Sequence, residues 1–138
     1  MTNLKQIIVV SIFAALASGG LHAQSSLDLR ATVPFAFRAG NTLIPAGEYM
    51  IHEESGLVRL RAEGDGHPMS TLVTFATSKH DASGDSRLVF DHYGNEYFLT
   101  TIWDAFSDTG RGLPKTSRQK ELAERNGPVQ PVVVVATK

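Results

Sequence analysis

Apolar and polar residues alternate along much of the chain, with the period of two that is typical of strands with one buried face. The first such stretch begins near Leu27, reaches Val33 and continues through Phe35 and Phe37. Pro34 interrupts it. Because proline cannot donate a hydrogen bond to a sheet ladder, the sequence predicts a sheet edge or a bulge at this position.

Two glycine-asparagine turns each join a pair of predicted strands. Gly40-Asn41 reverses the opening segment into a first hairpin, and Gly94-Asn95 joins strands over residues 87–93 and 96–103. Both residue types tolerate the positive φ that a tight reversal needs. Further strands are predicted at residues 48–52, 57–62 and 71–77. The valine run at residues 132–135 is predicted as a last, well-buried strand, and the alternative is a loose C-terminal tail.

One short helix is predicted near the C-terminus. Thr116 can cap it, Asn126-Gly127-Pro128 ends it, and its apolar content is only Leu122 and Ala123, so it should lie on the surface. Seven or eight short strands with this helix favour a single antiparallel β-sandwich, and the alternative is a small β-barrel.

Residues 1–23 have the features of a secretory signal peptide. Lys5 precedes an apolar run from Ile7 to Ala17, and Ala23 can end the leader. That run is short compared with the ~20 apolar residues that span a bilayer, so the sequence favours export over an uncleaved membrane anchor. We therefore expect one β-domain over residues 24–138, located in the periplasm or outside the cell, with membrane contact only if the leader stays uncleaved.

Composition narrows the possible partners. The chain of 138 residues has a formal net charge of −1 and no cysteine. It cannot form disulfides, and its near-neutral charge argues against a nucleic-acid partner. Residues 79–108 are mainly acidic and residues 111–125 mainly basic, and we expect the two segments to pair within the fold.

The stretches VPFAF, LIPAGEY, LVF, YFL and LPKTSRQKE resemble a family of short, signal-peptide-bearing secreted bacterial β-proteins of unassigned function. The resemblance covers most of the expected mature chain and implies an exported β-domain. Its motifs consist of turn glycines and strand aromatics, so it carries no catalytic residue over to this chain.

The histidines show no metal-ligand spacing, and neither a nucleophile elbow nor a phosphate-binding loop is present. We therefore predict no metal, cofactor or catalytic residue. If a polar site exists, His80, Asp81, Asp91 and His92 are its candidates, because their loop and strand could meet across a hairpin.

Aromatic residues supply the other candidates. Trp103 lies at a predicted strand end, where an aromatic ring can stack on a sugar. Phe35, Phe37 and Tyr49 are expected at the centre of the core, with an aromatic ligand groove as the alternative. The candidate ligand-binding residues are thus Trp103, Tyr49, His80, Asp91 and His92.

Three functions are compatible with these features. The first is an exported, non-catalytic binding or interaction module whose partner is an envelope glycan, a small apolar ligand or a protein. The second is a small metal-assisted or acid/base hydrolase that uses histidine and aspartate around residues 80–92. The third is a structural envelope component that self-associates through an edge strand such as the one holding Pro34. The lack of a catalytic motif favours the first.

Overall fold

The computed structural model describes residues 27–64, 68–78 and 84–138. The predicted signal peptide at residues 1–23 and the candidates His80 and Asp81 lie outside the described residues.

Eleven strands and one helix make up the described chain. In order they are β1 Asp28–Val33, β2 Phe37–Ala39, β3 Thr42–Ile44, β4 Gly47–Glu54, β5 Leu57–Ala62, β6 Pro68–Leu72, β7 Phe75–Ser78, β8 Ser86–Tyr93, β9 Glu96–Trp103, β10 Thr109–Gly112, α1 Ser117–Asn126 and β11 Gln130–Ala136.

The strands form two sheets that face each other. The first sheet has the order β1-β4-β5-β6, and the second contains the path β11-β8-β9-β10-β7. β2 joins the second sheet through a parallel pairing between Arg38 and Phe98 of β9, and β3 pairs with β2. The described strands form no closed barrel, so the all-β sandwich with one short C-terminal helix is confirmed.

The core lies between the two sheets and is centred on aromatic rings. Phe37 is 1 % exposed, and its ring meets Tyr49 and Phe90 edge to face, at centroid distances of 5.7 and 5.2 Å. Phe35 is half-buried and meets Phe90 edge-on at 5.0 Å. Phe37 and Tyr49 therefore occupy the centre predicted for them, and Phe35 lies at its border.

Two predicted strands are interrupted where the chain passes from one sheet to the other. β1 ends at Val33 in the first sheet, Pro34 lies outside the strands, and β2 begins only at Phe37 in the second. Residues 71–77, predicted as one strand, are divided between β6 of the first sheet and β7 of the second. Alternation predicts extended backbone, but it does not reveal which sheet each half joins.

The last strand forms as predicted, but its burial was predicted wrongly. β11 is an edge strand paired with β8, and Val133 and Val135 are 53 % and 63 % exposed. Val132 and Val134 pack on the core. A valine run in an antiparallel edge strand buries only one of its faces. Beyond β11, Thr137 exchanges backbone hydrogen bonds of 2.7 and 2.8 Å with Arg30, which joins the two sheets along this flank.

The helix begins with the predicted cap. The Thr116 hydroxyl accepts a hydrogen bond from the Gln119 backbone N–H at 3.2 Å, and Gly127, with φ of 71°, follows its last residue. Gln119 is the one buried residue of α1 and points toward β8. The predicted surface position of the helix is thus correct except at Gln119.

Ion pairs connect elements that are distant in sequence. Nη2 of Arg111 in β10 donates hydrogen bonds to both carboxylate oxygens of Glu53 in β4, Oε1 at 2.7 Å and Oε2 at 2.8 Å. This ion pair links the two sheets. The Glu96 carboxylate accepts hydrogen bonds from the Arg118 side chain of α1 at 2.9 Å and from the Arg38 side chain of β2 at 3.2 Å. The hydrogen bond from Arg118, followed by that from Arg38, lowers the pKa of Glu96. Arg118 pairs with the acidic segment as predicted, whereas Arg111 pairs outside it.

Candidate functional site

The outer face of the second sheet, which points away from the first sheet, presents two rows of side chains that cross five strands. The first row runs through Val133, Val89, Thr101, Gly112 and Phe75. The second row runs through Val135, Arg87, Trp103, Gly110 and Thr77. These residues form a broad surface with one charged member, Arg87.

Two aromatic rings lie across the glycines of β10. A methyl group added at Gly110 would lie 2.5 Å from Cε3 of Trp103, and one added at Gly112 would lie 2.5 Å from both Cε2 and Cζ of Phe75. Each ring therefore occupies the space that a side chain on β10 would need. Trp103 reaches over from β9 and Phe75 from β7, so the rings approach β10 from opposite sides. We call these four residues the aromatic platform.

The platform depends on the alternation within β10. Gly110 and Gly112 point to the outer face, while Arg111 between them points inward to Glu53. Glycine weakens a strand interior and commonly marks a place where another group approaches closely. An aromatic ring that covers such a glycine restores part of the lost packing. The G-x-G pattern in a strand was the available signal for Phe75, Gly110 and Gly112, which sequence reasoning missed.

The rings remain accessible on the platform. Phe75 is 52 % exposed and Trp103 is half-buried. The Arg87 guanidinium lies 6.0 Å from the Trp103 ring centroid. Thr77 and Thr101 add hydroxyl groups in the same two rows. The surface thus combines exposed ring area with hydrogen-bonding groups.

Helix α1 contacts β8 at Asp91, two residues beyond Val89 of the first row. Asp91, paired with Phe98, accepts hydrogen bonds from the Gln119 amide at 3.2 Å and from the Tyr93 hydroxyl at 3.4 Å. Burial and the neighbouring Asp91 carboxylate raise the pKa of Tyr93. Asp91 therefore serves as the acceptor that anchors the helix to β8.

His92 points to the opposite face of β8, as expected for neighbours in a strand. Its ring stacks on Tyr97 with a centroid distance of 4.1 Å, and Tyr97 stacks on Phe35 at 3.9 Å. The structure does not bring Asp91 and His92 together. Within residues 27–64, 68–78 and 84–138, no three histidine, aspartate or glutamate side chains form a group that could hold a metal ion.

The remaining sequence candidates differ in position. Tyr49 is 2 % exposed, packs in the core and donates its hydroxyl hydrogen bond to the Pro45 carbonyl. Of the five candidates, Trp103 alone lies on the platform, and His80 is outside the described residues.

A groove of about 470 Å³ adjoins the platform on the flank of the sandwich where β3 and β6 lie. Its polar lining consists of Asn41, Thr42, Ser70, Thr71, Lys115 and Thr116. Lys115 is the one charged residue among the described residues of this lining. The groove therefore offers mainly hydroxyl and amide groups and a single cation.

No protein-family model, curated protein or solved structure matches this chain. Helix α1, the one helix in the described part of the chain, is not long and apolar enough to cross a membrane. The geometry of the platform and the groove is consequently the main guide to function.

Proposed function

We propose that this protein is an exported, non-catalytic binding module that holds a glycan on the aromatic platform. The observation that carries the proposal is the placement of the Trp103 and Phe75 rings across Gly110 and Gly112. One side of each ring rests on backbone; Phe75 is 52 % exposed, and the Arg87 guanidinium lies over the Trp103 ring at 6.0 Å from its centroid. The C–H groups on the face of a sugar ring form an apolar surface that packs well against such an aromatic ring.

The rings are held in position before any ligand arrives. The ring of each aromatic fills the space above a glycine, and the neighbouring strands fix the backbone on both sides. A preorganised surface loses less conformational entropy when a ligand binds, which favours affinity. Thr77, Thr101 and Arg87 lie in the same rows and supply hydrogen-bonding groups for sugar hydroxyls.

The export component rests on the sequence of residues 1–23, with its lysine, its apolar run and its terminal Ala23. A binding module delivered to the periplasm or the outside of the cell meets envelope and extracellular polysaccharides. A glycan is therefore the partner class that agrees with both the location and the platform.

The observations give less support to the hydrolase and to the self-associating component. The Asp91 carboxylate already accepts hydrogen bonds from Gln119 and Tyr93, and His92 lies on the other face of β8. Pro34 lies outside the strands, and the β1 strand before it is already joined to Thr137.

Co-sedimentation with insoluble polysaccharides tests the proposal. Protein produced from the full chain is mixed with cellulose, chitin and peptidoglycan, and the bound fraction is measured for wild type, Trp103→Ala and Phe75→Ala. Phe106→Ala is the matched control, because Phe106 is 76 % exposed but lies outside both rows. We expect one or more polymers to bind wild type and the control, and to lose at least tenfold affinity for the two platform variants. Equal binding by all four proteins, or binding of no glycan, would contradict the proposal.

A further inference from the structure

The groove beside the platform continues the surface on which a glycan chain would lie. Phe75 covers Gly112, and the next residue along the chain, Leu113, lines the groove. Val73, two residues before Phe75, also lines it and is 72 % exposed. The groove lining therefore begins one residue from Gly112 and two residues from Phe75, close enough for a polymer stacked on Phe75 to reach the groove.

The size and lining of the groove suit a sugar unit. Its volume of about 470 Å³ lies within the range of roughly 300–1,000 Å³ that is typical of ligand sites. The side chains of Asn41, Ser70 and Thr71 offer amide and hydroxyl groups that can both donate and accept hydrogen bonds. These are the groups that sugar hydroxyls require.

The charge of the groove points to an anionic group on the ligand. Lys115 lines it, and no aspartate or glutamate is among its described lining residues. Lys115 also forms no ion pair within the described part of the chain, whereas Lys138 pairs with Asp104 at 3.2 Å and Arg111 with Glu53 at 2.7 Å.

We propose that the ligand is an acidic glycan, and that Lys115 binds an anionic group of one of its sugars in the groove while neighbouring sugars stack on Phe75 and Trp103. This inference rests on the proposed function, because the platform supplies the main contact. A lysine ammonium acts as a compact point charge and sets no bidentate geometry, so a carboxylate and a sulfate ester share the required chemistry.

The test compares polymers that differ in charge but share a backbone. Dissociation constants of the protein produced from the full chain are measured for polygalacturonate and its fully methyl-esterified form, and for dextran sulfate and dextran. Lys115→Gln is compared with wild type and with Lys120→Gln, since Lys120 is an exposed lysine of α1 that forms no described ion pair and does not line the groove. Thermal unfolding verifies that the variants are folded.

We expect wild type and Lys120→Gln to bind at least one anionic polymer about fivefold more tightly than its neutral partner, as an accessible ion pair of roughly 1 kcal/mol would give. Lys115→Gln should lose this preference and retain binding to the neutral form. The polymer pair that shows the preference identifies a carboxylate or a sulfate as the anion.

Two results would overturn the inference in different ways. If Lys115→Gln and Lys120→Gln keep the same preference, or wild type shows none while Trp103→Ala still abolishes binding, the acidic-glycan inference is wrong and the proposed function stands. If none of these polymers, and none of cellulose, chitin and peptidoglycan, binds in a Trp103-dependent manner, the proposed function is wrong as well.

Discussion

The molecule uses aromatic rings in two contrasting environments. In the core, Phe37 meets Tyr49 and Phe90 edge to face, and all three rings are buried. On the outer face of the second sheet, Trp103 and Phe75 meet glycine backbone instead of other rings and keep exposed surface.

The residue that lies opposite each ring explains this difference. A ring surrounded by apolar side chains contributes its full area to the free energy of folding. A ring that lies across Gly110 or Gly112 packs through one side, and Phe75 keeps 52 % of its surface exposed for contact with a ligand. Substitutions in the core should therefore change stability most, and substitutions on the platform should change binding most.

The largest expected effect is that of Phe90→Ala. Phe90 is fully buried and contacts both Phe35 and Phe37, so its removal leaves a cavity in the core. We expect the free energy of unfolding to fall by about 3–5 kcal/mol, measured by urea denaturation. A loss below about 1 kcal/mol would show that the core is not organised around these rings.

A smaller effect is expected for Gly110→Ala. A methyl group here would lie 2.5 Å from Trp103, so the ring must move, and we expect a loss of about 1–3 kcal/mol together with weaker glycan binding. Gly47→Ala is the control. The nearest atom to its added methyl is the Tyr49 hydroxyl oxygen at 3.4 Å, and alanine is favoured over glycine in a strand by roughly 0.5–1 kcal/mol. If Gly110→Ala is as stable as Gly47→Ala, the ring does not rest on Gly110.

The ion pair between Glu53 and Arg111 should contribute less to the free energy of unfolding than the packing of Trp103 on Gly110. Glu53→Gln weakens the contact that holds β10 against the first sheet through Arg111, and we expect a loss of about 1 kcal/mol by urea denaturation. Glu121→Gln, which disrupts the exposed helical pair with Arg125 at 2.7 Å, should cost no more than about 0.5 kcal/mol. Equal losses for the two variants would mean that Arg111 does not anchor β10.

The smallest effect concerns pH. The Arg118 and Arg38 contacts lower the pKa of folded Glu96 below its unfolded value of about 4.3, so the stability they provide is present above that pH and is lost as the pH falls through the lowered pKa. Wild type should therefore lose more thermal stability than Glu96→Gln between pH 6 and pH 3. Glu124→Gln, at an exposed position without a described ion pair, should follow wild type. Parallel curves for wild type and Glu96→Gln would refute this role.

Local patterns predicted much of the fold. The hairpin of β8 and β9 follows from Gly94-Asn95 between alternating strands, and α1 follows from the Thr116 cap. Pro34 was expected to interrupt its strand, but the change of sheet there and between β6 and β7 could not be predicted, because the choice of sheet depends on partners distant in sequence. The same dependence led to the wrong prediction of a well-buried β11.

Only part of the candidate site could be predicted from the sequence. Trp103 stood out as an aromatic residue at a strand end, but its partner Gly110 lies on another strand and is identified by the β9–β10 pairing. Phe75 was one residue of a single predicted strand over residues 71–77, which the structure divides between the two sheets. Tyr49 lies at the core centre that alternation predicted for it, and His92 faces away from Asp91, as neighbours in a strand do.

The most direct test of the account uses the fluorescence of Trp103, the one tryptophan of the chain. A glycan that co-sediments with the protein is titrated, as soluble fragments, into wild type and Phe75→Ala, and tryptophan emission and quenching by acrylamide are recorded. We predict a saturable change in emission and reduced quenching for wild type. For Phe75→Ala we predict a dissociation constant at least tenfold larger. A glycan that binds but leaves Trp103 emission and quenching unchanged would contradict the claim that the platform is the binding surface.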